Sequence, residues 1–242
     1  MQTTKKIEKA ISRFKDGEVF TYDQLNLEPA EYRAAVKALG RMTRAGIVKR
    51  ASTGRYYKPN KSVFGELNPG EEQLLKSYLF KRGKRIAYIT GEALYNKMGL
   101  TTQVPKNIKI ASRDKRVITM VGSVQVKPVK SYVDVTDKNY FILEILDAIK
   151  DFKEIPDLNR RTAIKRLLQK IKGLKEDEIE KLTETSLKYP PRVRALIGAL
   201  LSNLKFDSYL VLPLIASLNP LSIYNFGIKQ EELPEIKQWN II

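Results

Sequence analysis

The chain has 242 residues, 44 Lys and Arg against 27 Asp and Glu, a formal charge of +17, and neither His nor Cys. Those absences exclude disulfides, zinc fingers, iron–sulfur clusters and thiol nucleophiles, together with Ser-His-Asp triads, His-ligated metals and imidazole acid–base catalysis. The charge points to a polyanionic partner, nucleic acid ahead of an anionic membrane surface, and the length allows one large domain or two to three small ones.

In chain order, residues 4–14 place Ile7, Ala10, Ile11 and Phe14 on one helical face. Asp16-Gly17 breaks that helix, Val19–Thr21 is short and extended, and Thr21 is placed to cap a short helix over Tyr22–Leu25. Glu28-Pro29 opens a longer helix that runs to about Ala45 and stops at Gly46. Ile47–Arg50 and Arg55–Lys58, joined through Gly54, read as a β-hairpin. Helix, strand, helix, helix and hairpin in that order give a winged helix-turn-helix over residues 1–60.

Residues 59–69 read as a linker, followed by an amphipathic helix from Pro69 to about Lys81. Ala87–Thr90 is strand-like, and Gly91–Met98 forms a short helix closed by Gly99. Alternating patterns then predict strands at 107–111, 116–120, 124–127 and 132–135, which makes 61–137 a mixed α/β middle region. From 138 onward the periodicity is helical, with candidates at 138–152, 158–172, 176–187, 191–204 and 207–218; residues 138–242 are expected to form a helical bundle. Pro213 and Pro220 interrupt the apolar stretch 209–223, and the single Trp239 stands near the C-terminus. The fold class is therefore α+β. No apolar run approaches the length of a membrane span and the N-terminus lacks a signal-peptide core, so a cytoplasmic protein without a membrane partner is expected.

The charge is unevenly spread: +7 in residues 1–60, +9 in 61–130 and +1 in 131–242. A coherent share falls on the 30–45 helix. At ~100° per residue, Arg33, Lys37, Arg41 and Arg44 occupy an arc of about 80°, while Tyr32, Ala35, Val36, Leu39, Met42 and Thr43 cover the other side. Such a face suits a helix in the major groove of DNA. Tyr32, Arg33 and Lys37 are then the base-contact candidates, and Arg41 and Arg44 meet phosphate. Lys49, Arg50, Arg55 and Lys58 put further charge on the hairpin that would form the wing. A solvated helix face carries the same stripe. A second basic patch is read from Lys81, Arg82, Lys84 and Arg85 with Arg113, Lys115 and Arg116, supported by Lys106 and Lys109. Its competing role is solubility, since Lys at sheet edges opposes aggregation.

The stretches GRYYKPNKSVFGEL (54–67), YITGEALYNKMGLTTQVPKNIKIAS (88–112) and YPPRVRALIGALL (189–201) resemble AbiEi-like antitoxins of toxin–antitoxin and abortive-infection systems. The resemblance implies an N-terminal winged helix that binds double-stranded DNA at its own promoter and represses its operon. It also implies that residues 61–242 counter a cognate nucleotidyltransferase-like toxin, a neutralisation that in this family need not involve a stable complex.

No catalytic residue, metal site or cofactor is expected, and the chain is read as a non-enzyme. Asp134 and Asp137 stand close together, but two-metal chemistry wants clustered carboxylates on strands, and one such pair among 27 acidic residues is expected by chance. The alternatives are an RNA-binding or general transcriptional regulator with a winged-helix module and no toxin partner, or a protein that binds a toxin directly.

Overall fold

The computed structural model describes residues 2–62, 65–67, 69–121 and 124–242. Contacts among the described residues gather into two units, one within residues 2–85 together with Val121, the other within residues 86–120 and 124–242. Each unit has its own apolar core. Mixed helix and strand in both make the chain α+β.

In the first unit, α1 (Gln2–Ile11) and α2 (Tyr32–Arg44) bury Ile7 and Ile11 against Ala35, Ala38, Leu39 and Met42. β1 (Val19–Thr21), β2 (Lys49–Ser52) and β3 (Arg55–Tyr57) form an antiparallel sheet in the order β1-β3-β2, whose Phe20 and Tyr56 complete that core. Glu28-Pro29 does not start α2 directly. Pro29–Glu31 forms a 3₁₀ turn whose Glu28 N–H donates to Glu31 Oε2 (2.8 Å), and the α-helix begins at Tyr32.

Two hairpins stand where the sequence pattern suggests other structure. Of the expected linker 59–69, residues 63, 64 and 68 lie outside the described residues, while β4 (Asn60–Ser62) pairs with β5 (Gly65–Leu67). The expected helix 69–81 runs only from Glu71 to Leu79 (α3) and is followed by a hairpin of β6 (Phe80–Lys81) and β7 (Lys84–Arg85). Arg82 and Gly83 both have positive φ (49° and 74°), as a two-residue primed turn demands. Gly83 adopts that conformation freely; Arg82 does so against its own Cβ.

The second unit is built on a four-stranded sheet in the order β10-β11-β9-β8, from β8 (Ala87–Thr90), β9 (Asn107–Ser112), β10 (Thr119–Val121) and β11 (Val124–Lys130). β9 runs antiparallel to β8 and parallel to β11. The strand expected at 132–135 does not form. Side chains take over its backbone groups: Arg113 Nη1 donates to Tyr132 O (2.7 Å), Ser131 Oγ to Val133 O (2.7 Å) and Asn139 Nδ2 to Asp134 O (2.8 Å). α4 (Glu92–Lys97) lies beside the sheet. α5 (Tyr140–Lys150), α6 (Arg160–Lys172), α7 (Glu176–Ser186), α8 (Pro191–Asn203) and α9 (Ser208–Ala216) follow. α8 is the most deeply buried of these, with Val193, Leu196, Ile197, Leu200 and Leu201 inaccessible to solvent. α9 passes through Pro213 without ending there. The tail returns to α8: Trp239 is 1% exposed, and its Nε1 donates to Ser202 Oγ (3.2 Å). Among the described residues, no helix is long and apolar enough to cross a membrane.

Candidate nucleic-acid interface

α2 is divided into two faces by what it buries. Ala35, Ala38, Leu39 and Met42 face the core, whereas Arg33, Lys37, Arg41 and Arg44 are exposed. Among the described residues, none of these four cations has a carboxylate partner. Arg41 Nη2 meets only the Thr4 hydroxyl (3.3 Å), and Arg44 Nε meets the carbonyl of Gly40 (3.4 Å). Tyr32 is half-buried, its ring 6.4 Å from that of Tyr22, whose hydroxyl shares a hydrogen bond with Tyr56 (3.0 Å). One assignment on this helix needs correction. Val36, placed by periodicity on the core side, is 54% exposed. It sits at the margin of the apolar arc, and the small α1–α2 contact closes over Ala35, Ala38, Leu39 and Met42 without reaching it.

The β2–β3 hairpin carries less free charge than its sequence implies. Arg50 is exposed, its Nε turned to Ser52 O (3.3 Å). Lys49 is paired with Glu66, which raises its pKa, and Lys58 is paired with Asp16 (2.7 Å). Arg55 turns inward. Its guanidinium lies 3.5 Å from the centre of the Tyr78 ring and donates to Ser77 Oγ (2.8 Å) and Ser77 O (3.3 Å). Burial lowers its pKa, which Tyr78 partly offsets. Arg55 therefore joins α3 to the sheet. The reason is the neighbouring helix, which periodicity within the hairpin does not reveal.

The second basic group divides between the units. In the first, Lys81, Arg82 and Lys84 are exposed on the β6–β7 hairpin, with Arg85 stacked 4.5 Å from the centre of the Phe80 ring. In the second, Arg113, Lys115 and Arg116, with Lys130, line an open cleft of about 380 Å³ beside the β9 and β11 ends.

The second unit holds a buried polar network with little signature in the sequence. Asp147 of α5, 2% exposed, accepts from Tyr88 OH (2.8 Å), Thr90 Oγ1 (2.7 Å) and Tyr189 OH (3.2 Å), and lies 3.5 Å from Lys150 Nζ. Lys150 also faces Asp151 (3.4 Å), which accepts from Tyr95 OH (2.5 Å). Burial by itself disfavours charge on Lys150, but Asp147 and Asp151 outweigh it and raise its pKa. Burial first, then the neighbouring carboxylates, push Tyr88, Tyr95 and Tyr189 well above the usual phenol range. The one sequence signal is a lone Asp at a core position of the apolar run Tyr140–Lys150. With both oxygens accepting from hydroxyl donors, this carboxylate joins β8, α5 and the segment just before α8.

A family model described as a family of unknown function (DUF6088) matches residues 6–179. The chain belongs to this family. The DUF6088 match takes in α2, the β2–β3 and β6–β7 hairpins, the Arg113–Arg116 cleft and Asp147. Among solved structures, a crystal structure of the RV2827C protein from Mycobacterium tuberculosis is similar over 100% of this chain and 91% of its own, with a TM-score of 0.52 at 12% identity. At that identity the likeness is one of fold. No curated protein matches the sequence.

Proposed function

We propose that this protein is a DNA-binding antitoxin that represses its own operon, acts in the cytoplasm and works by binding, without catalysis. The first unit is then a winged helix-turn-helix: α2 enters the major groove and the β2–β3 hairpin is the wing. The observation that carries the DNA arm is the exposed face of α2, four cations without a carboxylate partner among the described residues. Lys49 and Lys58 in the same unit do have such partners. Arg50, exposed and without a carboxylate partner among the described residues, remains as the wing's contact, and Arg55 is withdrawn from that role. The antitoxin arm is supported by the sequence resemblance at 54–67, 88–112 and 189–201. It assigns the countering of a nucleotidyltransferase-like toxin to residues 61–242.

The test is binding of the full chain to its promoter duplex across a salt series. Affinity falls linearly on a log–log plot as salt rises, because neutralised phosphates release counterions. Arg33→Ala relaxes discrimination at one base pair by roughly 1–3 kcal/mol, while Arg41→Ala weakens all sequences alike and flattens the salt slope by about one. A protein that ignores its promoter at physiological salt is not an autorepressor. A second reading, RNA binding by the second unit, is favoured by the Arg113–Arg116 cleft. RNA that outcompetes duplex DNA, and loses that advantage in Arg116→Ala, would establish it.

A further inference from the structure

On α2, residues three and four apart are surface neighbours. Arg33, Val36, Lys37 and Gly40 therefore form one contiguous diamond: 33–36 and 37–40 are three apart, 33–37 and 36–40 four apart. Two of its corners are residue types that the packing of the described residues does not call for. Val36 is a β-branched residue in a helix, 54% exposed, so neither packing nor helix propensity accounts for it. Gly40 lies in the middle of a 13-residue helix, where glycine costs roughly 1 kcal/mol relative to alanine. A Cβ there would meet nothing within 4 Å, so no contact of this unit requires its absence. Arg33 and Lys37, the other two corners, have no hydrogen-bond or ion-pair partner among the described residues. Isolated exposed valines are ordinary on protein surfaces. This one is enclosed by free cations on one side and a missing side chain on the other.

An apolar side chain set among cations at the surface of a groove-binding helix has a specific counterpart. The thymine 5-methyl group is the apolar feature of the major-groove edge. Resting on the DNA-binding reading above, we infer that Val36 is a specificity-determining residue that packs against a thymine methyl, with Gly40 giving the duplex room to come close to the helix. Arg33 and Lys37 meet base edges on either side of it; Val36 distinguishes thymine from the other bases at one position.

The experiment begins with selection of binding sites by the full-length protein from a random-sequence duplex library. Each thymine of the selected site is then replaced singly by deoxyuridine, which removes only the methyl group. The wild type loses about fourfold in affinity at one thymine, the loss expected for one buried methyl. Val36→Ser shows equal affinity for thymine and uracil at that position and keeps its other preferences. Val36→Thr, which retains one methyl, keeps part of the discrimination and serves if the serine variant fails to fold. Val104→Ser, changing an 83% exposed valine in a loop of the second unit, leaves the profile unaltered. A thymine preference that persists in Val36→Ser overturns the assignment, as does a selected site at which the wild type is indifferent to every methyl. If the library yields no enriched sequence, the DNA-binding reading falls, and the role of Val36 with it.

Discussion

Single residues show where charge is used inside the molecule and where it is left free. Arg55 and Arg33 are alike in the sequence, each a cation in a segment expected to face DNA. Arg55 instead lies over Tyr78 because α3 packs on the sheet, a contact between segments more than twenty residues apart. Local pattern carries no trace of such a contact. Asp147 poses the converse case, a charge in a core position. Truncating it removes the acceptor shared by three hydroxyl donors and one of the two carboxylates beside Lys150. Asp147→Ala is expected to destabilise the fold by about 3–5 kcal/mol, the range for removing one partner of a buried charged network. Urea denaturation followed by circular dichroism measures it; a loss below about 1 kcal/mol would mean that water already satisfies these groups.

Elements differ in how plainly the sequence announces them. The long amphipathic helices α2, α5, α6 and α8 have enough turns for their apolar stripes to stand out, and all appear near their expected positions. The β4–β5 and β6–β7 hairpins consist of strands of two or three residues, too short for alternation to register, so that their sequences resemble a linker, a helix end and a charge cluster. Val36 departs from its expected face for a related reason. Periodicity gives the centre of a buried arc well and its margins poorly, because the margin depends on the size of the partner surface. α8 offers a sharper rule. Gly198 lies in the middle of this buried helix, where a Cβ would overlap the six-membered ring of Trp239. Gly198→Ala must therefore displace the tail, despite alanine's better helix propensity. A loss of roughly 1–3 kcal/mol or more is expected from overpacking, with new proteolytic cleavage between 220 and 242. An unchanged melting temperature would show that the tail repacks freely.

The whole molecule is strongly cationic, yet the second unit depends on phenols remaining neutral. Tyr88, Tyr95 and Tyr189 all have raised pKa values in the fold, whereas an unfolded tyrosine ionises near pH 10. The unfolded chain thus loses these protons first. Their contribution is complete below about pH 10 and is lost progressively above it, by ~1.4 kcal/mol per pH unit for each tyrosine. Lys150, also raised, acts in the same direction. Denaturation midpoints between pH 9 and 11.5 should fall steeply, and less so in Tyr88→Phe; a flat profile would contradict the buried network. Trp239 gives one more consequence. It is the sole tryptophan among 242 residues, is fully enclosed, and belongs to the second unit, while the proposed DNA contacts belong to the first. Its emission is a built-in optical label for one unit, a blue-shifted signal that follows the opening of the second core alone. Compared with far-ultraviolet dichroism, which records every helix, that signal tells whether the two cores melt together or in turn.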